Sequence, residues 1–116
     1  MNPLLNMTKQ EFDKMMCAKF PKIFAERHLD MQKTCMCWGF EIPRGWRALV
    51  HDLCERLQYL ADLTRYQPVA EQVKSKFGTL RFYWRGVPEK EGDYRQVDGI
   101  MEALVGTAEN HTARAC

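Results

Sequence analysis

A chain of 116 residues is long enough for one domain with its own hydrophobic core and short for two. Hydrophobic residues make up 46% and charged residues 28%, a globular balance that excludes a disordered chain, and no apolar run approaches the roughly 18 residues of a membrane span. Seventeen Lys and Arg against fifteen Asp and Glu give a formal charge of +2, yet Arg65 to Gly86 holds five basic residues and one acid, net +4, so the remainder sums to −2.

The opening residues lack the long apolar run and small-residue cleavage site of a signal peptide, so a cytoplasmic protein is expected, with residues 1–7 loosely ordered ahead of a single domain over 1–116. Five cysteines without a secretory signal read as free thiols or metal ligands rather than a disulfide framework. Thr8 to Glu11, "TKQE", is a capping box, and Phe12, Met15, Met16 and Phe20 then recur at helical spacing. Pro21 interrupts that helix, and "PKIFAERH" is expected to restart as a further turn or two. Met36, Trp38, Phe40 and Ile42 alternate as in a short strand ended by Pro43, with Gly39 marking a bulge or close backbone approach.

The second helix is the clearest element. Trp46, Leu49, Val50, Leu53, Cys54, Leu57, Leu60 and Ala61 fall on one arc, and Arg47, His51, Asp52, Glu55, Arg56 and Gln58 on the other. His51, one turn from both Arg47 and Glu55, has the setting of a solvent-exposed histidine with an ion-pair neighbour. Next, "QVKSKFGTLRFYWRG" predicts a β-hairpin near 68–85, with Val69, Val73, Phe77, Leu80, Phe82 and Trp84 inward. Gln72, Lys74, Lys76, Thr79, Arg81, Tyr83 and Arg85 face outward. A two-residue Phe77–Gly78 loop pairs Val73 with Phe82 but forces Phe77 to positive φ; a three-residue loop ending on Gly78 is the alternative. A last helix begins near Asp93 with Val97, Ile100, Met101, Leu104, Val105 and Ala108 on one arc, and the smooth far side of Gly99, Ala103 and Gly106 reads either as a tolerated weak helix or as room for a close neighbour or a homodimer partner. The expected fold is α+β: three helices packed on one face of a small antiparallel sheet built around the hairpin. Trp46, Leu49, Leu53, Leu57, Val73, Leu80, Phe82, Ile100 and Leu104 should form its core.

No G-x-S-x-G elbow, H-E-x-x-H pair or glycine-rich phosphate loop occurs, so no enzyme is expected. No cofactor is expected either. The one metal alternative is a structural zinc on Cys35, Cys37, His111 and Cys116, four ligands at a tighter spacing than zinc sites usually show. Cys17 and Cys54 read as small core residues. The outward face of Lys74, Lys76, Arg81, Tyr83 and Arg85 carries three readings: a solvated surface that discourages edge pairing, a docking face for an acidic protein partner, or a track for DNA or RNA with Tyr83 as a stacking platform.

"CWGFEIPRGW", "LVHDLCERL", "VAEQVKSKFGTLRFYWRG" and "IMEALVGTAENHTARAC" together resemble a group of small proteins encoded by tailed phages and prophages. In these a helix opening on G-W and passing through D-L-C-E precedes a Q-V-K-x-K-F-G-x-L-R-F-Y hairpin. The likeness spans about Trp38 to Cys116 and is most specific in the hairpin. It implies an accessory protein that binds and modulates a host protein stoichiometrically, including inhibition of CRISPR-type or nuclease defence complexes. Direct nucleic-acid binding and a zinc-stabilised adaptor are the alternatives.

Overall fold

The computed structural model describes residues 3–31 and 34–114. Helix α1 (Lys9–Lys19) starts on the expected capping box: the Thr8 hydroxyl accepts the Glu11 amide at 3.0 Å, and the Glu11 carboxylate accepts the Thr8 amide at 2.8 Å. It buries Phe12 and Met16 and closes on buried Phe20. Beyond Pro21 the chain continues in successive turns that bury Ile23 and Phe24, held by amide bonds from Phe24 to Phe20 and from Arg27 to Phe24.

The strand expected over Met36–Ile42 is mostly a 3-10 turn, Cys35–Trp38, followed by a two-residue strand β1, Phe40–Glu41. Local side-chain chemistry overrides the alternation. The Thr34 hydroxyl accepts the Met36 amide at 3.1 Å, which winds the turn, and Gly39 at φ +75° breaks the extended run. Arg27 then clamps the turn to α1 through a bidentate bond to Asp13 (2.8 and 2.9 Å) and a third bond to the Cys37 carbonyl at 2.9 Å. Met36 and Phe40 are buried, whereas Trp38 is exposed.

A 3-10 turn, Arg44–Trp46, leads into α2 (Arg47–Thr64), which buries Val50, Leu53, Cys54, Leu57 and Ala61 from the expected arc. Arg47, expected on the polar side, is only 4% exposed. Its Nη1 donates to the Leu4 and Met7 carbonyls at 2.8 Å each, its guanidinium lies 4.8 Å from the Phe12 ring, and Arg44 donates to the Leu5 and Met7 carbonyls. Residues 3–7, expected to be loose, are therefore tied down, with Pro3–Asn6 in a 3-10 turn. Residues 1 and 2 lie outside the described residues.

Strands β2 (Tyr66–Lys76) and β3 (Thr79–Pro88) form the hairpin. The two-residue loop is the one present: Val73 pairs with Phe82, and Phe77 and Gly78 take φ of 54° and 77°. β1 joins the outer edge of β2 in parallel, Phe40 opposite Val73, so the antiparallel hairpin is extended into a mixed three-stranded sheet. The register slips between Ala70 and Gln72 and leaves Glu71 unpaired. That slip places Val69 opposite Arg85 rather than on the face of Val73 and Phe82, against the expected inward set. Phe77 is likewise not inward: it stands at the hairpin tip, 93% exposed.

Helix α3 (Arg95–Arg114) buries Val97, Met101, Val105, Ala108 and Thr112. α2 packs on β2, α3 on β3, and the two helices touch. α3 also covers the open edge of β3: the Leu80 amide donates to the Thr112 hydroxyl at 2.9 Å and the Phe82 amide to the Glu109 carboxylate at 3.0 Å. Of the nine expected core residues, Leu53, Leu57, Val73, Leu80 and Phe82 are buried, and Trp46, Leu49 and Leu104 are half-buried at the rim. Ile100 is 46% exposed, because α3 turns its Met101–Val105 side to the sheet. Phe40 adds an aromatic cluster, edge-on to Phe12 at 5.4 Å and to Phe24 at 4.8 Å. No helix among the described residues is long and apolar enough to cross a membrane.

At the open end of the hairpin the Tyr66 ring lies across Gly86, stacks on Tyr94 at 5.0 Å and donates its hydroxyl to Asp98 at 2.7 Å. A Cβ on Gly86 would sit 2.0 Å from the Tyr66 ring. Gly86→Ala is expected to expel the ring and cost about 2–3 kcal/mol in urea unfolding, and to cost under about 1 kcal/mol in a Tyr66→Leu background.

Candidate functional site on the outer face of the hairpin

β-strand alternation sets the site. Arg81, Tyr83 and Arg85 lie at every second position of β3, and Lys74 and Lys76 are paired with Arg81 and Thr79 across the ladder, so the five expected residues share one face. Lys74 stands directly opposite Arg81 and Gln72 opposite Tyr83. Like charges directly opposite each other destabilise a sheet.

The five differ in what they face within the molecule. Arg85 is neutralised: its guanidinium pairs with the Glu26 carboxylate and lies 3.5 Å from that of Glu71. Glu26 comes from the turns after α1 and is itself buried. Burial pushes the Glu26 carboxyl up, but bonds from Arg85 and the Thr34 hydroxyl outweigh it and hold the group below its usual range. The slip at Glu71 makes this possible, since it sets Arg85 opposite buried Val69 and beside the Glu71 side chain. Arg85 is therefore held in ion pairs within the molecule, with its side chain still about half exposed on the expected face.

Among the described residues no carboxylate lies within ion-pair distance of Lys74, Lys76 or Arg81. Tyr83 is 41% exposed between them. Arg81 and Tyr83 also border an open groove of about 520 Å³ along the β3 edge, closed on its other side by Glu102 and Glu109 of α3. The tip adds Phe77, with the Lys76 ammonium 5.9 Å from its ring. Sequence periodicity assigns Phe77 to the interior, and the signal against that is the loop itself: the two-residue turn takes Phe77 out of the strand alternation and carries its ring clear of the sheet.

Of the expected zinc ligands, the three among the described residues, Cys35, Cys37 and His111, do not form a cluster. Cys35 and Cys37 belong to the 3-10 turn beside β2, His111 lies exposed in the last turn of α3, and Cys116 is outside the described residues. Among the described residues the one group of three ligand atoms within 4.8 Å of each other is His51, Asp52 and Glu55, on successive turns of α2. A cation of the protein already sits there, as Lys19 donates to His51 Nε2 at 2.7 Å and lies 3.4 Å from Glu55. Burial pushes the Cys54 thiol far up, and burial with the Asp13 charge pushes Cys17 to about 11, so neither is a ready thiolate.

No family model, curated protein or solved structure matches the chain.

The Glu26–Arg85 pair has a pH signature. The lowered carboxyl means that its stabilisation is complete above the unfolded value near 4.5 and is lost as pH falls through the folded value. Glu26→Gln is expected to lower stability at neutral pH by about 1–3 kcal/mol, discounted for the exposed arginine. The gap between the two proteins should close on acidification below that value, as followed by urea unfolding at several pH values.

Proposed function

We propose that this protein is a non-enzymatic binding module that grips an acidic surface of a protein partner with the distal half of its hairpin. Lys74, Lys76 and Arg81 supply the charge, and Tyr83 and the Phe77 tip supply contact area. The observation that carries this reading is the unequal treatment of the four cations. Among the described residues two carboxylates stand around Arg85 and none lies within pairing distance of the other three, although Lys74 and Arg81 repel each other across the ladder. A ribbon of this kind steers encounter and selects partners by charge complementarity, and arginine with exposed aromatics dominates binding energy at such surfaces. In the phage setting that the sequence resembles, the partner is a host protein and the outcome is modulation or inhibition of it, defence complexes included.

Nucleic acid is the second reading, favoured by two exposed aromatics set among unpaired cations on a ribbon. Its mark is a steep fall of affinity with salt, since phosphate contacts release counterions.

Host-lysate capture on the immobilised protein, with and without nuclease, separates the readings. The expected result is a specific protein that survives nuclease treatment and falls at least about tenfold with Lys74→Glu plus Arg81→Glu, a loss of at least about 1.4 kcal/mol. Arg85→Gln, which removes only the already neutralised charge, should change recovery far less. Undiminished capture by the charge-reversed protein contradicts the proposal, and capture lost to nuclease transfers the site to nucleic acid.

A further inference from the structure

A cleft of about 420 Å³ opens between the start of α1 and the segment from β1 into α2, and its one acid, Glu41, is the ladder neighbour of Lys74. Its floor is apolar, with Phe12, Phe40, Ile42 and Pro43, and its wall holds Lys9, Arg44 and Arg47 against the single acid Glu41. No carboxylate among the described residues lies within ion-pair distance of any of the three cations.

Arg47 is the decisive group. The residue is only 4% exposed, and a charge so far withdrawn from water is expected to have an anionic partner, because an uncompensated buried charge costs several kcal/mol by order of magnitude. Here the two carbonyls of Leu4 and Met7 both fall on Nη1, and the face of the group lies over Phe12. Nε and Nη2 donate to nothing among the described residues. Yet no fully buried side-chain nitrogen or oxygen among the described residues is left without a partner, so these two N–H groups keep some contact with solvent, and Arg47 lines the cleft. Arg44 similarly spends only Nη1, on the Leu5 and Met7 carbonyls. Burial, and next the charge of Arg44, weaken the hold of Arg47 on its proton, the condition that a bound anion relieves.

We propose that this cleft binds a compact anion, a carboxylate or phosphate group on a small apolar body, with the unspent N–H groups of Arg47 and the charges of Arg44 and Lys9 as its cationic wall. The planar fork of Arg47 suits two-point contact with either group, and Phe12, Phe40 and Ile42 receive the apolar part. No hairpin residue lines the site, and it stands whether or not the hairpin binds a protein.

The test is a ¹H–¹⁵N NMR titration of the full chain with benzoate, phenyl phosphate and inorganic phosphate at constant ionic strength. The expected result is saturable shifts of the Lys9, Phe12, Ile42 and Arg44 amides by benzoate or phenyl phosphate below about 10 mM, with the better probe identifying the group as carboxylate or phosphate. Inorganic phosphate, which lacks the apolar body, should bind more weakly. Lys9 is exposed and makes no ion pair among the described residues, so Lys9→Glu keeps the fold and should weaken binding at least about fivefold. No saturable shift in that range, shifts on another surface, or equal affinity in Lys9→Glu would overturn the proposal.

Discussion

One unpaired residue in the ladder, Glu71, decides how the rest of the hairpin is used. Between the turn and Gln72 the strands keep one register, with Val73, Leu80 and Phe82 toward the helices and Lys74, Lys76, Arg81 and Tyr83 away from them. The slip shifts β2 by one residue, which moves a side chain from one face to the other. Past it, β2 is buried through Gln67, Pro68, Val69 and Ala70, and the Ala70 amide turns outward to the Ile23 carbonyl at 2.8 Å. The proximal half of β2 is thus core, covered by chain from before β1, and the distal half of the hairpin is a projecting arm with one wet face.

The same slip sorts the charges. Arg85 lands on the core half, where Glu26 is buried beside it and Glu71 itself is in reach. Lys74, Lys76 and Arg81 stay on the arm. An aromatic side chain at positive φ completes that arm at a cost of about 1–2 kcal/mol, since the left-handed conformation crowds the Cβ of any residue but glycine. Phe77 recovers none of it by burial. Local strain of this kind persists where the surroundings over-determine it, and here the fixed strand register on both sides of the loop does so.

Much of the fold is legible in the residues themselves. The Thr8–Glu11 capping box, the arc from Val50 to Ala61 and the pairing of Val73 with Phe82 each rest on interactions within a few residues or across one tight turn. What escapes such reading depends on distant groups. Arg47 sits on the polar side of its helix by angle alone and is buried because the carbonyls of Leu4 and Met7 arrive from 43 and 40 residues away. Val69 keeps an even spacing from Val73 and still changes face, because a slip in register leaves no mark in hydrophobic alternation. Met36 to Ile42 alternates like a strand, yet Thr34, Gly39 and Arg27 wind its first half into a turn. At the candidate site, the composition of the cationic face follows from alternation. Which of its charges are neutralised follows only from where Glu26 and Glu71 end up.

The most direct test of this account is the strand register measured in solution. Leu80, Phe82 and Ala70 turn their amides away from the ladder, so the pairs Ser75–Leu80, Val73–Phe82 and Ala70–Trp84 are those whose Hα atoms approach most closely. Nuclear Overhauser contacts between the Hα atoms of all three pairs are the result expected. An unbroken ladder, with Glu71 opposite Trp84 and Arg85 opposite Ala70, would remove the division between the buried and projecting halves of the hairpin and with it the assignment of Lys74, Lys76 and Arg81 as the charges left for a partner.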